Sequence, residues 1–359
     1  MPKLGLVYDL RMPGMSARQR AEQYRTCLEQ AAWADRVGIG RVSFREHHSS
    51  PDGYLPSPVT LAAGVAAVTS SLTILLQALV VTLHDPVRLA EDLAVLDLMA
   101  AGRLVVMAGA GYDAREHAMF GRDFGQRPRQ MEQAVGVLRR AWTGEAFEFD
   151  GRPVRVTPLP FQPSGPPLLL GGASRAAARR AAAIADGYLP IRDQGYQDYR
   201  DAVVALGRPD PGPLGRSAPF FVWVADDPER TWHEIGPYCL HETNAYGALA
   251  RAAGLNTGFV PHDDLDALRR GGEYPVLTPQ ECVSLCASLG DDGKLTVAPL
   301  VGGMRPDLSW QCLELIEGKV LPHVRSRPSR PADYRVSVPQ ATPAPGRPAI
   351  PESARGGNR

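Results

Sequence analysis

Apolar and polar residues along this chain form a repeating pattern of short apolar runs and longer periodic segments. The apolar runs are rich in Val, Ile and Leu and have the length of strands that are buried on both faces. Eight strands are predicted, at residues 3–8, 41–45, 73–82, 103–108, 167–170, 187–191, 219–224 and 294–300. The periodic segments are predicted as helices, at residues 16–37, 56–69, 86–100, 130–142, 174–185, 197–206, 228–239, 279–289 and 309–324.

This alternation of strands and helices predicts an α/β fold with parallel strands. Parallel neighbours need a crossover connection, which a helix usually supplies. Eight such units are the repeat of a (β/α)8 TIM barrel, which we predict for residues 1–325. Residues 147–162 are expected to form a hairpin excursion, and residues 244–276 an insertion after helix seven that lines or covers the site. The Pro/Arg-rich tail, residues 326–359, has seven prolines and two acidic residues and is predicted to be disordered.

The composition narrows the class of partner. Hydrophobic residues make up 44% and charged residues 22% of the chain, as in water-soluble globular proteins, and the formal net charge of zero argues against nucleic acid. No signal peptide is visible and the five cysteines are scattered, so we expect reduced thiols in a cytoplasmic protein. Residues 55–83 carry no charge, but the polar Thr69-Ser70-Ser71 divides them into a helix and a strand, so no membrane association is predicted.

The sequence Glu46-His47-His48 lies at the predicted carboxyl end of strand two. Such strand ends form the active-site rim of a barrel, and histidine can act as a general acid or base near neutral pH. Because neighbouring strand residues face opposite ways, only one of the two histidines can point into the barrel mouth. The alternative is a structural histidine, with Glu46 paired to an arginine. A metal site would need further ligands, for which His84 is the only nearby candidate, so no metal is predicted.

Glycine-rich turns follow strands four and five. Gly171-Gly172-Ala173-Ser174 leads from strand five into its helix, where free backbone N–H groups and a hydroxyl favour phosphate binding. Gly109 begins a similar loop that contains Tyr112, and one of three following arginines is expected to bind the phosphate: Arg122, Arg127 or Arg129. The alternatives are ordinary tight turns and surface ion pairs. Gln77, inside strand three, must form a hydrogen bond if it is buried.

In their order and spacing these pieces resemble the bacterial luciferase-like family of flavin-dependent monooxygenases. The resemblance extends over residues 1–324. It rests on Glu46-His47-His48, on the two glycine-rich turns with Glu116 and Phe120-Gly121, and on residues 83–97, 102–103, 185–187, 299–303 and 313–322.

The resemblance implies a barrel that binds FMN at its carboxyl rim. In such proteins an NAD(P)H-flavin reductase supplies reduced FMN, which reacts with dioxygen to form a 4a-peroxide that oxygenates a small organic substrate. His47 falls on the catalytic histidine of the family. The flavin contacts fall on Gln77-Ala78, where the family often has a cis peptide bond, and on Gly109, Arg129, Gly171, Gly172, Ala173 and Ser174. A homodimer is the family expectation.

The substrate pocket is expected at the same rim. A dry pocket roofed by loops would protect the oxygenating species from water. The residues expected to line this pocket are Glu46, Tyr54, Tyr112 and Trp223.

Two features of the chain bear on the choice of cofactor and activity. A phosphate-binding arginine of luciferase itself falls on Gly109, which argues against light emission. Deazaflavin-using relatives usually have an Asp-His-aromatic pattern at strand two, whereas this chain has Glu-His-His-Ser-Ser, which favours FMN. The alternatives are a deazaflavin-dependent hydride-transfer oxidoreductase and a non-catalytic flavin-binding subunit, and the intact His47 argues against the second.

Overall fold

The chain folds around a curled parallel β-sheet that is flanked by helices. The structure, a computed structural model, describes residues 2–190, 194–218, 221–255, 259–324 and 330–334. Its strands are β1 (Lys3–Tyr8), β2 (Arg41–Phe44), β3 (Thr73–Val80), β4 (Leu104–Gly109), β5 (Phe147–Phe149), β6 (Arg152–Val154), β7 (Leu168–Gly172), β8 (Gly187–Pro190), β9 (Trp223–Val224), β10 (Val276–Leu277) and β11 (Lys294–Val297).

Helices follow most of these strands. They are α1 (Ala17–Val37), α2 (Pro58–Val68), α3 (Pro86–Met99), α4 (Ala114–Met119), α5 (Arg127–Ala141), α6 (Arg175–Ile184), α7 (Gln194–Ala205), α8 (Pro228–Ala252), α9 (Leu265–Gly271), α10 (Pro279–Leu289) and α11 (Pro306–Leu315). Local sequence sets their ends. Ser16 and Gln19 form a capping box at the start of α1, and Gly38, at φ 82°, ends it in the left-handed conformation.

The main sheet has seven parallel strands in the order β11-β1-β2-β3-β4-β7-β8. Its curl continues beyond β11, because the Val222 N–H donates to the Thr296 carbonyl at 3.0 Å. Strands β9 and β10 pair separately, and among the described residues β8 and β9 are not hydrogen-bonded to each other. The structure therefore confirms the α/β fold with a curled parallel sheet, while closure of all eight strands stays a prediction.

Both faces of the sheet are buried, as their unbroken apolar sequences predict. The larger core lies between the sheet and the helices. A smaller apolar cluster lies on the other face and contains Leu75, Val105, Met107 and Leu169. The main-chain carboxyl ends of the parallel strands meet at one edge, where the loops that carry His47, Tyr112 and Ser174 begin.

The helix before the predicted insertion is longer than its sequence predicts. Helix seven was predicted to end at residue 239, but α8 continues through Pro237 to Ala252, so residues 244–252 belong to this helix. The remainder of the predicted insertion contains α9 and β10, and its role as a cover for the site stays a prediction. The predicted hairpin is confirmed, because β5 and β6 pair antiparallel.

Part of the predicted disordered tail is folded. Residues 331–334 form a 3-10 helix, and Tyr334 packs against the smaller apolar cluster. Lys3 pairs with Asp333 at 3.1 Å. These contacts hold the short helix against the folded domain. The low apolar content of the tail sequence does not reveal them. Residues 325–329 and 335–359, with Ile191, Pro219 and Phe220 of the predicted strands, lie outside the described residues.

Across the part of the chain that the structure describes, no helix is both long enough and apolar enough to cross a bilayer.

Candidate active site

His47 lies just beyond the carboxyl end of β2, with its ring buried among polar and aromatic side chains. Its side chain is 8% exposed. The Nδ1 atom lies 2.8 Å from Glu116 Oε1, and the Nε2 atom lies 2.8 Å from the Tyr112 hydroxyl. Both ring nitrogens therefore have a hydrogen-bond partner that comes from the segment after β4.

The two partners define the tautomer of His47. A carboxylate only accepts, so Nδ1 carries the proton that is donated to Glu116, and Nε2 is left to accept from the Tyr112 hydroxyl. Burial, followed by the nearby Tyr246 and Glu116, raises the pKa of Tyr112, so its phenol keeps its proton and can donate. Glu116 also accepts from the His48 backbone N–H at 2.8 Å, which fixes the carboxylate to the strand end.

Aromatic rings enclose the remaining sides of His47. The rings of Tyr54 and Tyr112 meet it edge-on, with centroids at 4.9 and 5.1 Å, and Tyr246 of α8 lies at 6.2 Å. The hydroxyls of Tyr54 and Tyr246 are hydrogen-bonded to each other. The imidazole is thus held on three sides by tyrosines, two of which were predicted for the substrate pocket.

Glu46 makes its contacts away from this enclosure, and its predicted place in the substrate pocket stays a prediction. Its buried carboxylate contacts His48 Nε2 at 2.8 Å, His84 Nε2 at 3.4 Å and the Val80 N–H at 2.6 Å. Burial opposes its ionisation, but these hydrogen bonds outweigh that cost and lower the pKa of Glu46. Neighbouring residues at a strand end face opposite ways, so Glu46 and His48 leave the inward position to His47.

Glu46, His48 and His84 form a cluster of residue types that can bind metal ions. Among the described residues, no group of three or more His, Cys, Asp or Glu side chains is arranged to hold one.

The peptide bond between Gln77 and Ala78 in β3 is cis, as predicted. The pairing with β4 shifts register at this point, between Gln77 and Leu79. A Cβ atom added at Gly109 would lie 2.9 Å from the Ala78 Cβ, which is closer than real contacts allow. Gly109 and Ala78 are therefore matched in size across the two strands, and no larger residue fits at position 109.

The turn between β7 and α6 exposes a helix start at the same edge of the sheet. Ser174 is the N-cap of α6, and its hydroxyl accepts from the Ala177 N–H at 3.1 Å. Residues 173–176 are exposed, and the first turn of α6 has no acidic residue. A Cβ added at Gly171 would overlap the end of the Met107 side chain. The predicted turn therefore has the free N–H groups and positive dipole end that suit an anion.

The predicted arginines are placed less favourably. Arg127 donates to the Gly111 and Phe124 carbonyls, and Arg122 donates to the His84 carbonyl. Arg129 is exposed on α5 and forms no hydrogen bond or ion pair with another described residue, so its phosphate contact stays a prediction.

Trp223 is buried in β9. In the described residues it has no ring contact or hydrogen bond with His47, Tyr54 or Tyr112, and its place in the substrate pocket also stays a prediction.

A buried charged network beside the tyrosines was missed in the sequence. Its centre is Arg11, which is 1% exposed and contacts Asp52 at 2.6 Å, Glu242 at 3.3 Å and Asp9 at 3.4 Å. The Arg11 guanidinium also lies 4.6 Å and 4.5 Å from the ring centroids of Tyr54 and Tyr246. Arg11 therefore joins the loop after β1 to the tyrosines that surround His47.

Two carboxyls of the network have displaced pKa values. Burial, together with the adjacent Asp9, raises the pKa of Glu242 well above its usual range. Burial opposes the ionisation of Asp52, but hydrogen bonds from His241 and the charge of Arg11 hold the pKa of Asp52 well below its usual range. The surroundings therefore disfavour the ionised form of Glu242 and favour the ionised form of Asp52.

One signal could have identified part of this network. Asp9 and Arg11 directly follow a predicted strand, where polar residues face the rim, and Arg45 shares the strand face of His47. No sequence signal connects them to Glu242, which lies about two hundred residues away on a long helix.

Comparisons with known proteins agree with this fold. The structure is similar to that of monooxygenase RslO1 from Streptomyces bottropensis, with a TM-score of 0.71 and 25% identity over 89% of this chain and 99% of that chain. It has the fold of the oxygenating constituent of 3,6-diketocamphane monooxygenase of Pseudomonas putida in complex with FMN, with a TM-score of 0.70, 21% identity and coverage of 91% and 99%.

Curated sequences show a second cofactor among the relatives. The F420-dependent glucose-6-phosphate dehydrogenase of Amycolatopsis mediterranei (strain U-32) is 25% identical over 198 residues, which are 51% of this chain and 59% of that protein. The chain spans about half the length of the first curated relatives that it matches, at 47% and 57%. A sequence profile described as luciferase-like monooxygenase matches residues 6–294. The chain therefore belongs to the luciferase-like monooxygenase family.

Proposed function

We propose that this protein is an FMN-dependent, two-component monooxygenase that uses reduced flavin and dioxygen to oxygenate a small organic substrate. The observation that carries the proposal is His47, a buried imidazole at the strand-end rim that is held between Glu116 and Tyr112. A separate NAD(P)H-flavin reductase would supply the reduced FMN, and a homodimer is the assembly we propose.

The residues at the rim fit a flavin mononucleotide. The start of α6 offers exposed N–H groups and the Ser174 hydroxyl for a phosphate, with the backbone of residues 171–173 beside it. Beside this turn, two small residues face each other on β3 and β4, because a Cβ added at Gly109 would lie 2.9 Å from the Ala78 Cβ. When bound, reduced FMN would supply the electrons and activate dioxygen.

His47 can hold and move a proton at a defined atom. Because Nδ1 carries the proton that is donated to Glu116, the lone pair of the ring is at Nε2, where it accepts from the Tyr112 hydroxyl. A substrate or oxygen-derived group could take the place of this hydroxyl. Nε2 would then accept a proton from it when the imidazole is neutral and donate a proton to it when the ring is an imidazolium. Glu116 stabilises the imidazolium in the second case.

The tyrosines around His47 exclude water from the same point. Tyr54 is 3% and Tyr246 is 6% exposed, and their hydroxyls satisfy each other rather than solvent. Polar interactions are stronger in such a dry site, and reactive intermediates are protected from hydrolysis. This arrangement supports the oxygenation of a substrate that is bound beside His47.

The second candidate is deazaflavin-dependent hydride transfer. It is favoured by the similarity to an F420-dependent dehydrogenase and by the shared fold of an F420-dependent secondary alcohol dehydrogenase, which has a TM-score of 0.63 and 17% identity. In that reaction His47 would exchange a proton with the substrate hydroxyl, and no oxygen would be consumed.

One experiment separates these functions. The purified full-length protein is titrated with FMN and with F420, each oxidised and reduced, and oxygen uptake is followed with NADH and a generic flavin reductase. We expect reduced FMN to bind and oxygen to be consumed, and the yield of hydrogen peroxide to rise in His47→Ala.

Binding of F420 alone, without oxygen uptake, would favour hydride transfer. Binding of FMN with turnover that His47→Ala leaves unchanged would favour a non-catalytic subunit.

A further inference from the structure

Arg45 places a positive charge on the same strand face as His47. It follows β2 directly, and residues two apart on a strand project to one side, about 7 Å from each other. The Arg45 N–H is anchored to the Tyr8 carbonyl at 3.1 Å. Its side chain remains 25% exposed, whereas Arg11 and Glu242 are each 1% exposed. Arg45 is therefore the more exposed of the two guanidinium groups in this cluster.

The charge of Arg45 is only weakly neutralised by its neighbours. Within the buried network, the three carboxyl groups that lie within 3.4 Å of a guanidinium surround Arg11. The carboxylate nearest to Arg45 is Glu242, at 3.8 Å, which is too long for a hydrogen bond. Glu242 is also the carboxyl whose pKa is raised. A guanidinium has five N–H donors, and the bond from Arg45 Nη1 to the Tyr246 hydroxyl at 3.1 Å uses one of them.

Aromatic rings surround the Arg45 guanidinium. Its central carbon lies 5.3 Å from the Phe221 ring, 5.4 Å from the Tyr246 ring and 5.9 Å from the Phe259 ring. Tyr246 and Phe259 are stacked, with centroids 4.5 Å apart and planes at 19°. Tyr246 also contacts His47, so one aromatic surface extends from the cation to the imidazole. Such surfaces favour planar organic groups over flexible or strongly hydrated ones.

From these contacts we infer that Arg45 is a substrate-specificity residue, and that the substrate of the proposed oxygenation is a planar organic anion whose negatively charged oxygen is bound by Arg45. Carboxylates and the ionised hydroxyls of aromatic or enolic rings have this chemistry. Both faces of the Tyr246 ring are covered, by Phe259 and by Arg11, so the substrate ring would meet the edge of Tyr246 and extend toward His47. The inference rests on the proposed function for the reaction, but it predicts binding that needs no flavin.

The test uses a matched pair of probes that differ in charge. Benzoate and benzamide have the same ring and similar size, and their binding to the purified full-length protein is measured by calorimetry. We expect benzoate to bind at least tenfold more tightly than benzamide. Arg45→Met keeps the apolar stem and should weaken benzoate at least tenfold while changing benzamide less than twofold, and Arg45→Lys should restore part of the preference.

Arg88→Met is the control, because Arg88 is 71% exposed on α3 and pairs only with Glu91 and Asp92 of its own helix. This variant should bind both probes like the unsubstituted protein. Equal affinity for benzoate and benzamide in the unsubstituted protein overturns the inference, whether or not Arg45→Met folds. Retention of the preference in a folded Arg45→Met protein overturns it as well.

FMN binding, measured by flavin fluorescence on the same samples, separates this inference from the proposed function. Arg45→Met should leave FMN affinity within twofold. If FMN binds and the benzoate preference is absent, only the inference fails. If the preference depends on Arg45 but FMN does not bind, the inference holds and the proposed cofactor is wrong.

Discussion

His47 Nδ1 donates to Glu116 Oε1 over 2.8 Å, and this bond joins the segments that follow β2 and β4, the two neighbours of β3 in the sheet. Glu116 contacts no other ring nitrogen, but it also accepts from the backbone at His48. One carboxylate therefore fixes both the orientation of the imidazole and the path of the chain that carries it. Glu116 is a positioning residue in the proposed reaction.

The first prediction concerns Glu116→Gln. The amide can accept only through its single oxygen and can present an N–H to the ring, so the tautomer of His47 is less strongly defined. We expect kcat to fall by about 10- to 100-fold with little change in KM, as when an orienting partner is removed from a functional histidine. Steady-state oxygen uptake across a pH series measures both the loss and a displaced pH profile.

Glu132→Gln on α5 is the matched control, since its carboxylate is exposed and pairs with Arg180. An unchanged pH profile in Glu116→Gln, with only a general loss of stability, would show that Glu116 is merely structural.

The second prediction concerns Tyr112→Phe. This change removes the hydroxyl at 2.8 Å from His47 Nε2 and keeps the ring that packs edge-on against the imidazole. If Tyr112 holds the place of a reacting group, its loss should change kcat by less than about tenfold, well below the 10²- to 10⁴-fold expected when a general acid or base is removed. Parallel assays of Tyr112→Phe and His47→Ala decide this, and equal losses in the two variants would assign the proton transfer to Tyr112.

The third prediction concerns the fit between β3 and β4. In Gly109→Ala the new Cβ would meet the Ala78 Cβ at 2.9 Å, and this atom is fixed to the backbone and cannot rotate away. We expect the free energy of unfolding to fall by about 1–3 kcal/mol, as for other overpacked sites, together with weaker FMN binding. Chemical denaturation and flavin titration measure the two effects.

Gly136→Ala provides the comparison for Gly109→Ala. Gly136 lies inside α5 with nothing within 4 Å of an added Cβ, so alanine there should stabilise the protein by up to about 1 kcal/mol through helix propensity. Full stability in Gly109→Ala would mean that the two strands are less closely packed than the structure describes.

The sequence predicted the site where local rules determine it. The strand-end position of His47, the cap at Ser174 and the cis peptide at Gln77-Ala78 follow from strand alternation, helix capping and the family resemblance. Alternation also indicates the direction of the Glu46 side chain, whose predicted place in the pocket stays a prediction. A rule that separates His47 from His48 places Glu46 with His48.

The rest depends on contacts between distant segments. Helix α8 continues past Pro237 because nine of its residues are buried against the domain, and this packing outweighs the local cost of proline. That extension brings Glu242 and Tyr246 to the rim. Neither residue has a local pattern that marks it as part of a site.

The last prediction follows from the raised pKa of Glu242. In the unfolded chain this carboxyl ionises near pH 4.3, whereas in the folded protein it keeps its proton to higher pH. The folded state then binds more protons than the unfolded state, so its stability is highest below the unfolded pKa and declines as the pH rises, by up to about 1.4 kcal/mol per pH unit. Glu242→Gln is a neutral isostere that lacks this decline. We therefore expect the stability of Glu242→Gln relative to the unsubstituted protein to increase steadily from pH 5 to pH 8 in urea denaturation.

Glu234→Gln, at an exposed position of the same helix, should differ little from the unsubstituted protein at each pH. Parallel stability curves for Glu242→Gln and the unsubstituted protein would mean that Glu242 is ionised in the fold, and that Arg45 is already neutralised by it.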